Sequence, residues 1–106
     1  MIVKAWKNGK HRQIGTSYGL KVAIPDRNEF FRESWDYIIL DLEGVAEPVQ
    51  VNIEKNSFWS DNCHELIHER IREWLWANGL APWKHWHPPE MTLTHIADNH
   101  FSLRKT

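Results

Sequence analysis

Cysteine is almost missing from this chain: Cys63 stands alone in 106 residues, so no internal disulfide staples the fold. Long apolar runs are missing too, none approaching the roughly 18 residues of a membrane helix, and the N-terminus carries no signal-peptide stretch. Those absences set the expectation of a cytoplasmic protein without a membrane partner. No internal repeat or low-complexity segment interrupts the chain. Excess charge is lacking as well: the net charge is −1, which by itself speaks against a nucleic-acid binder.

What remains is an ordinary globular composition, 42% hydrophobic and 25% charged, on a chain long enough to bury a core as one domain, residues 1–106. Seven tryptophans are not ordinary. Nor is the charge evenly spread. Residues 1–24 carry Lys4, Lys7, Lys10, Arg12 and Lys21 and no acid, a charge of +5, whereas residues 25–54 sum to −6. Placed side by side, the two parts would partly neutralise each other.

Periodicity predicts the elements. Met1 to Trp6 reads as a strand, with Lys7-Asn8-Gly9-Lys10 as a tight hairpin turn. Alternation of Leu20, Val22 and Ile24 marks a second strand, ended by Pro25. Asp26 and Glu29 have capping-box spacing, which predicts a short helix over Asp26 to Trp35. Tyr37 to Leu42 and Val49 to Ile53 read as an antiparallel hairpin. A longer helix follows from Cys63 to Asn78, its stripe formed by Cys63, Leu66, Ile67, Ile71, Trp74 and Leu75, with Asn62 as N-cap and Gly79 as the left-handed residue beyond its end. After the Pro-rich segment 79–90, Met91 to Ile96 and His100 to Arg104 form a last hairpin. The order ββαββαββ predicts an α+β domain, mainly antiparallel sheet with two helices on one face.

Within the predicted helix lies His64-Glu65-Leu66-Ile67-His68, an HExxH. On a helix this spacing puts two imidazoles one turn apart as zinc ligands, His64 and His68, with Glu65 polarising the bound water. Seven His and nine Glu would generate the pattern by chance roughly four times in a hundred such chains. Three features oppose a zinc hydrolase: Glu65 sits where a capping glutamate turns back to Asn62, charged Glu69 and Arg70 follow His68, and the next His is His85. No cofactor is expected, zinc being the exception that this motif would bring. Asp41 and Glu43 with Glu54 and Lys55 form only an incomplete version of a metal-dependent nuclease pattern.

Several phrases, Gly15-Thr16-Ser17-Tyr18-Gly19-Leu20, Ser57-Phe58-Trp59, Cys63 with Glu65-Leu66, Gly79-Leu80-Ala81-Pro82-Trp83, Pro88-Pro89 and Asn99-His100-Phe101, resemble those of a small uncharacterised bacterial protein family. The resemblance spans nearly the whole chain and implies no activity. Such proteins commonly have Pro where His64 stands, which would make the HExxH an accident of this sequence.

Trp83-Lys84-His85-Trp86-His87 packs two indoles, two imidazoles and a lysine ahead of Pro88-Pro89. It suits a stacking platform for bases with Lys84 on phosphate, or a docking surface, while Trp83 also suits a plug at the core's end. With the basic arm, the candidate nucleic-acid contacts are Lys7, Lys10, Arg12, Tyr18, Lys84, Trp86 and His87. The competing reading is a protein partner or a second copy of the chain, because Trp76 falls on the outward side of the predicted helix. The favoured reading is a non-enzymatic binding module, most of all for nucleic acid, with the protein-partner module and the zinc hydrolase as alternatives.

Overall fold

The runs of alternating polarity fold as strands of one sheet. A computed structural model describes residues 1–11, 14–84 and 86–106. Its elements follow in the order β1 (Ile2–Asn8), β2 (Ser17–Val22), α1 (Ile24–Phe30), β3 (Tyr37–Leu42), β4 (Val49–Asn52), α2 (Asn56–Trp59), β5 (Glu65–Ile67), α3 (Glu69–Ala77), β6 (Glu90–Ala97) and β7 (His100–Lys105). The class is α+β, as expected, with a third short helix and an additional strand.

The seven strands lie in the order β4-β3-β7-β6-β1-β2-β5. Three predicted hairpin pairings form: β1 with β2, β3 with β4, and β6 with β7, the last with a bulge between His95 and Ala97. The sheet is nevertheless mixed rather than purely antiparallel, because β7 pairs with β3 in parallel, Leu40 opposite Phe101. Basic β1 and β2 are thereby separated from acidic β3 by β6 and β7, so the two charged parts do not sit side by side within the sheet. The outer strands β4 and β5 touch, so the sheet is curled. Its concave face carries Val3, Leu20, Leu40, Val51, Leu93 and Phe101, all fully buried, and the helices add Phe58, Ile71 and Leu75 to the same core. Among the described residues no helix is long and apolar enough to cross a membrane.

Two helix boundaries differ from expectation. The first helix starts at Ile24 and ends at Phe30. Pro25 lies in its first turn, where a missing N–H costs nothing, and no side chain caps it, so the Asp26/Glu29 spacing is not a capping box. The second correction removes a whole turn. Glu65–Ile67 is strand β5, antiparallel to β2, and α3 begins only at Glu69. The N-cap is His68, whose ring accepts the Arg70 N–H at 3.0 Å, not Asn62. At the other end Gly79 does take the left-handed conformation, φ 70°. Its N–H bonds the Trp76 carbonyl at 3.2 Å and the Leu80 N–H bonds that of Leu75 at 2.9 Å, closing a Schellman motif.

The first hairpin also has a wider connection than Asn8-Gly9 predicts, since β2 resumes only at Ser17. Gly19 in β2 is held to glycine by a neighbour: a Cβ there would collide with the Leu66 carbonyl of β5.

Candidate nucleic-acid interface

The wide connection after β1 and the Pro-rich segment after α3 converge on one groove. It is lined by Ala5, Trp6, Lys7, Lys10, His11, Trp83, Trp86 and Pro88, and its volume is about 350 Å³. Three tryptophans and two lysines therefore line a single space, although the stretches that supply them lie far apart in sequence.

The wall behind the groove is aromatic. Tyr18 is 1% exposed and meets the Trp76 ring edge-to-face at 6.3 Å, the Trp83 ring at 6.0 Å and the His11 ring at 5.8 Å. The Arg72 guanidinium lies over the same ring, 5.7 Å from its centroid. His11 ties the two stretches together. The Trp83 backbone N–H donates to His11 Nε2 at 3.3 Å, so in the neutral ring the proton sits on Nδ1 and donates to the Tyr18 hydroxyl at 2.9 Å. The Trp83 ring lies 4.6 Å from His11, edge-to-face.

The rim is open. Trp86 is 83% exposed, and its backbone takes φ 69°, a left-handed conformation that costs a bulky residue about 1–3 kcal/mol. The His87 N–H closes the tip of this turn on the Lys84 carbonyl at 2.9 Å. The Lys7 ammonium donates to the Gly9 carbonyl, in the connection that also carries Lys10.

Of the contacts expected from sequence, Lys7, Lys10 and Trp86 come together here. Tyr18 belongs to the wall and offers no free face. Lys84 and His87 are exposed on the same turn but do not line the groove. Arg12 and His85 lie outside the described residues. Sequence reasoning missed Trp6 and His11 and treated Trp83 mainly as a plug. Trp83 does pack against the core and lines the groove as well. Trp76, expected on the outside, is half-buried against the core and Tyr18, so it leaves no bare helix face.

The HExxH residues are arranged differently. An i, i+4 pair on a helix has its Cα atoms about 6 Å apart on one face, but here the segment is strand and cap. His64 has φ 64°, and its Nδ1 is hydrogen-bonded with the Val22 carbonyl of β2. His68 spends Nδ1 on the α3 N-terminus. Glu65 is 6% exposed, 3.9 Å from Lys21 Nζ. The helical premise of the zinc reading is absent, and among the described residues no three ligating side chains gather. Nearby, burial holds the Lys55 amine below its ordinary value, against the opposite pull of Glu65 and Cys63. The Asp41 carboxylate is likewise engaged, with His100 Nε2 at 2.6 Å, and Glu43 accepts the Lys105 N–H at 3.0 Å.

Comparison with protein-family models, with curated proteins and with solved structures gives no match. The residues of the groove carry the functional argument alone.

Proposed function

We propose that the groove binds single-stranded nucleic acid, with a base stacked on Trp86 and phosphates met by Lys7 and Lys10. The observation that carries this reading is the exposed Trp86, held in a costly backbone conformation beside two lysines. Indole faces stack on any base, and ammonium groups supply the salt-dependent attraction to phosphate. A hollow of about 350 Å³ suits one unstacked nucleotide at a time rather than a duplex, whose bases are already stacked on one another. The low net charge agrees with a local patch and a short footprint.

The test is a fluorescence or mobility-shift titration with matched single and double strands at low and raised salt. Single strands are expected to bind more tightly, with a log–log salt slope near −1.4 for two phosphate contacts, reduced by about 0.7 in Lys7→Ala. Trp86→Ala is expected to cost about 1–3 kcal/mol of binding. Binding that ignores salt, or that survives Trp86→Ala unchanged, overturns the proposal.

A further inference from the structure

The floor of the groove is a gap in the sheet. Residues Ile2 to Lys4 of β1 pair with β6, and Ala5 still donates its N–H to the Pro89 carbonyl at 2.9 Å. The next rung fails because Pro89 has no N–H to return to the Ala5 carbonyl. From there the chain turns away through Pro88 and Trp86, and among the described residues no strand pairs with β1 on this side from Trp6 to Asn8.

The pairing pattern shows which backbone groups the gap leaves open. The Val22 N–H bonds the His64 carbonyl at 3.1 Å, so Val22, Leu20 and Tyr18 direct their main-chain groups toward β5. Their β1 partners Val3, Ala5 and Lys7 are therefore pairs without mutual hydrogen bonds. Ala5 and Lys7 both direct N–H and C=O toward β6 and the groove. Among the described residues nothing donates to the Ala5 carbonyl and nothing accepts the Lys7 N–H. An acceptor and a donor two residues apart thus face the same way from one strand edge, between the indoles.

We propose that the Ala5 carbonyl and the Lys7 amide read the edge of one base, selecting adenine or cytosine over guanine or uracil. This rests on the groove being the nucleic-acid site proposed above. The cations fix the orientation. Lys7 Nζ and Lys10 lie beyond the Lys7 end of the gap, so the sugar-phosphate lies there. On a Watson–Crick edge the ring nitrogen is nearer the sugar than the exocyclic group. The ring nitrogen then meets the Lys7 N–H, and the exocyclic group meets the Ala5 carbonyl. Adenine and cytosine offer an acceptor ring nitrogen and a donor amine, which match. Guanine and uracil offer a ring N–H and a carbonyl, which oppose donor to donor and acceptor to acceptor.

The experiment titrates the full chain with AMP, CMP, GMP and UMP, followed by tryptophan fluorescence and by the Lys7 amide resonance. AMP and CMP are expected to bind roughly five- to 150-fold more tightly than GMP and UMP, the range of a two-point base contact, and to shift the Lys7 amide. Purine riboside monophosphate, lacking the amine, is expected to fall between. Equal affinity for all four, or binding that leaves the Lys7 amide unmoved, overturns base-edge reading while the groove remains a nucleotide site. Binding by none of them, together with no binding of single strands, removes both.

Discussion

Two aromatic clusters share the core and differ in what surrounds them. In the first, Phe101 stacks on Phe31 at 4.5 Å, Phe58 meets Phe31 at 5.2 Å, and Trp35 closes on Phe101 at 6.3 Å. Its polar atoms are spent on backbone: Trp59 Nε1 donates to the Ile53 carbonyl at 3.0 Å, and the buried Arg27 guanidinium bonds the carbonyls of Phe58 and Ser60. In the second, His11, Tyr18, Trp76 and Trp83 join through one imidazole and lead outward to Trp86 and the lysines. The same residue types close a core when backbone carbonyls surround them, and form a receptive surface when the sheet ladder beside them stops.

The sharpest way to break this comparison is to truncate one ring from each cluster. Phe101→Ala is expected to lose about 3–5 kcal/mol of unfolding free energy, because the rings around a fully buried Phe cannot collapse onto the vacancy. Trp86→Ala, at an exposed site and with the Cβ retained at φ 69°, is expected to stay within about 0.5 kcal/mol while losing ligand. Comparable denaturant shifts for the two would show that no functional division exists.

A smaller effect sharpens the second cluster alone. Tyr18→Phe keeps the ring and removes the hydroxyl that accepts from His11 Nδ1, at a cost of about 1 kcal/mol in urea unfolding. It should also broaden the Trp83 amide signal by freeing the imidazole, an effect that a mere packing defect in the wall would not confine to that residue.

The smallest effect lies outside both clusters. Lys55 has its folded pKa lowered from 10.5, chiefly by burial. The folded state therefore holds fewer protons than the unfolded state between the two pKa values, and stability rises with pH through that window. Lys55→Met is expected to stabilise the protein slightly at neutral pH, with the difference shrinking as pH climbs toward 10.5. A destabilised variant at neutral pH would mean that attraction to Glu65 outweighs burial.

The hairpins were legible because alternation fixes which side chains face inward, as Val49 and Val51 against Ile38 and Leu40 illustrate. Gly79 was legible because a left-handed helix end demands it. The start of α3 was not. Leu66 and Ile67 satisfy both a helical stripe and an apolar strand, and pairing with β2 across Gly19 decided for the strand; the cap at His68 uses a residue that seldom advertises one. The parallel pairing of β3 with β7 escaped notice because sequential strands favour hairpins and nothing local encodes a distant partner. At the site, Lys7, Lys10 and Trp86 stood out by charge and by clustering. Trp6 and His11 did not, since only the folded chain brings their neighbours within reach.

The position of β7 has a consequence for biosynthesis. It is the joint between β4-β3 and β6-β1-β2-β5, yet it follows the six other described strands in the chain. Until His100 to Lys105 clears the exit tunnel, the nascent sheet is two unjoined halves, with the inward side of β3 waiting for a partner. Sheet closure thereby waits on a segment that follows every other strand, and during that interval the free edges of β3 and β6 are surfaces on which a chaperone would act.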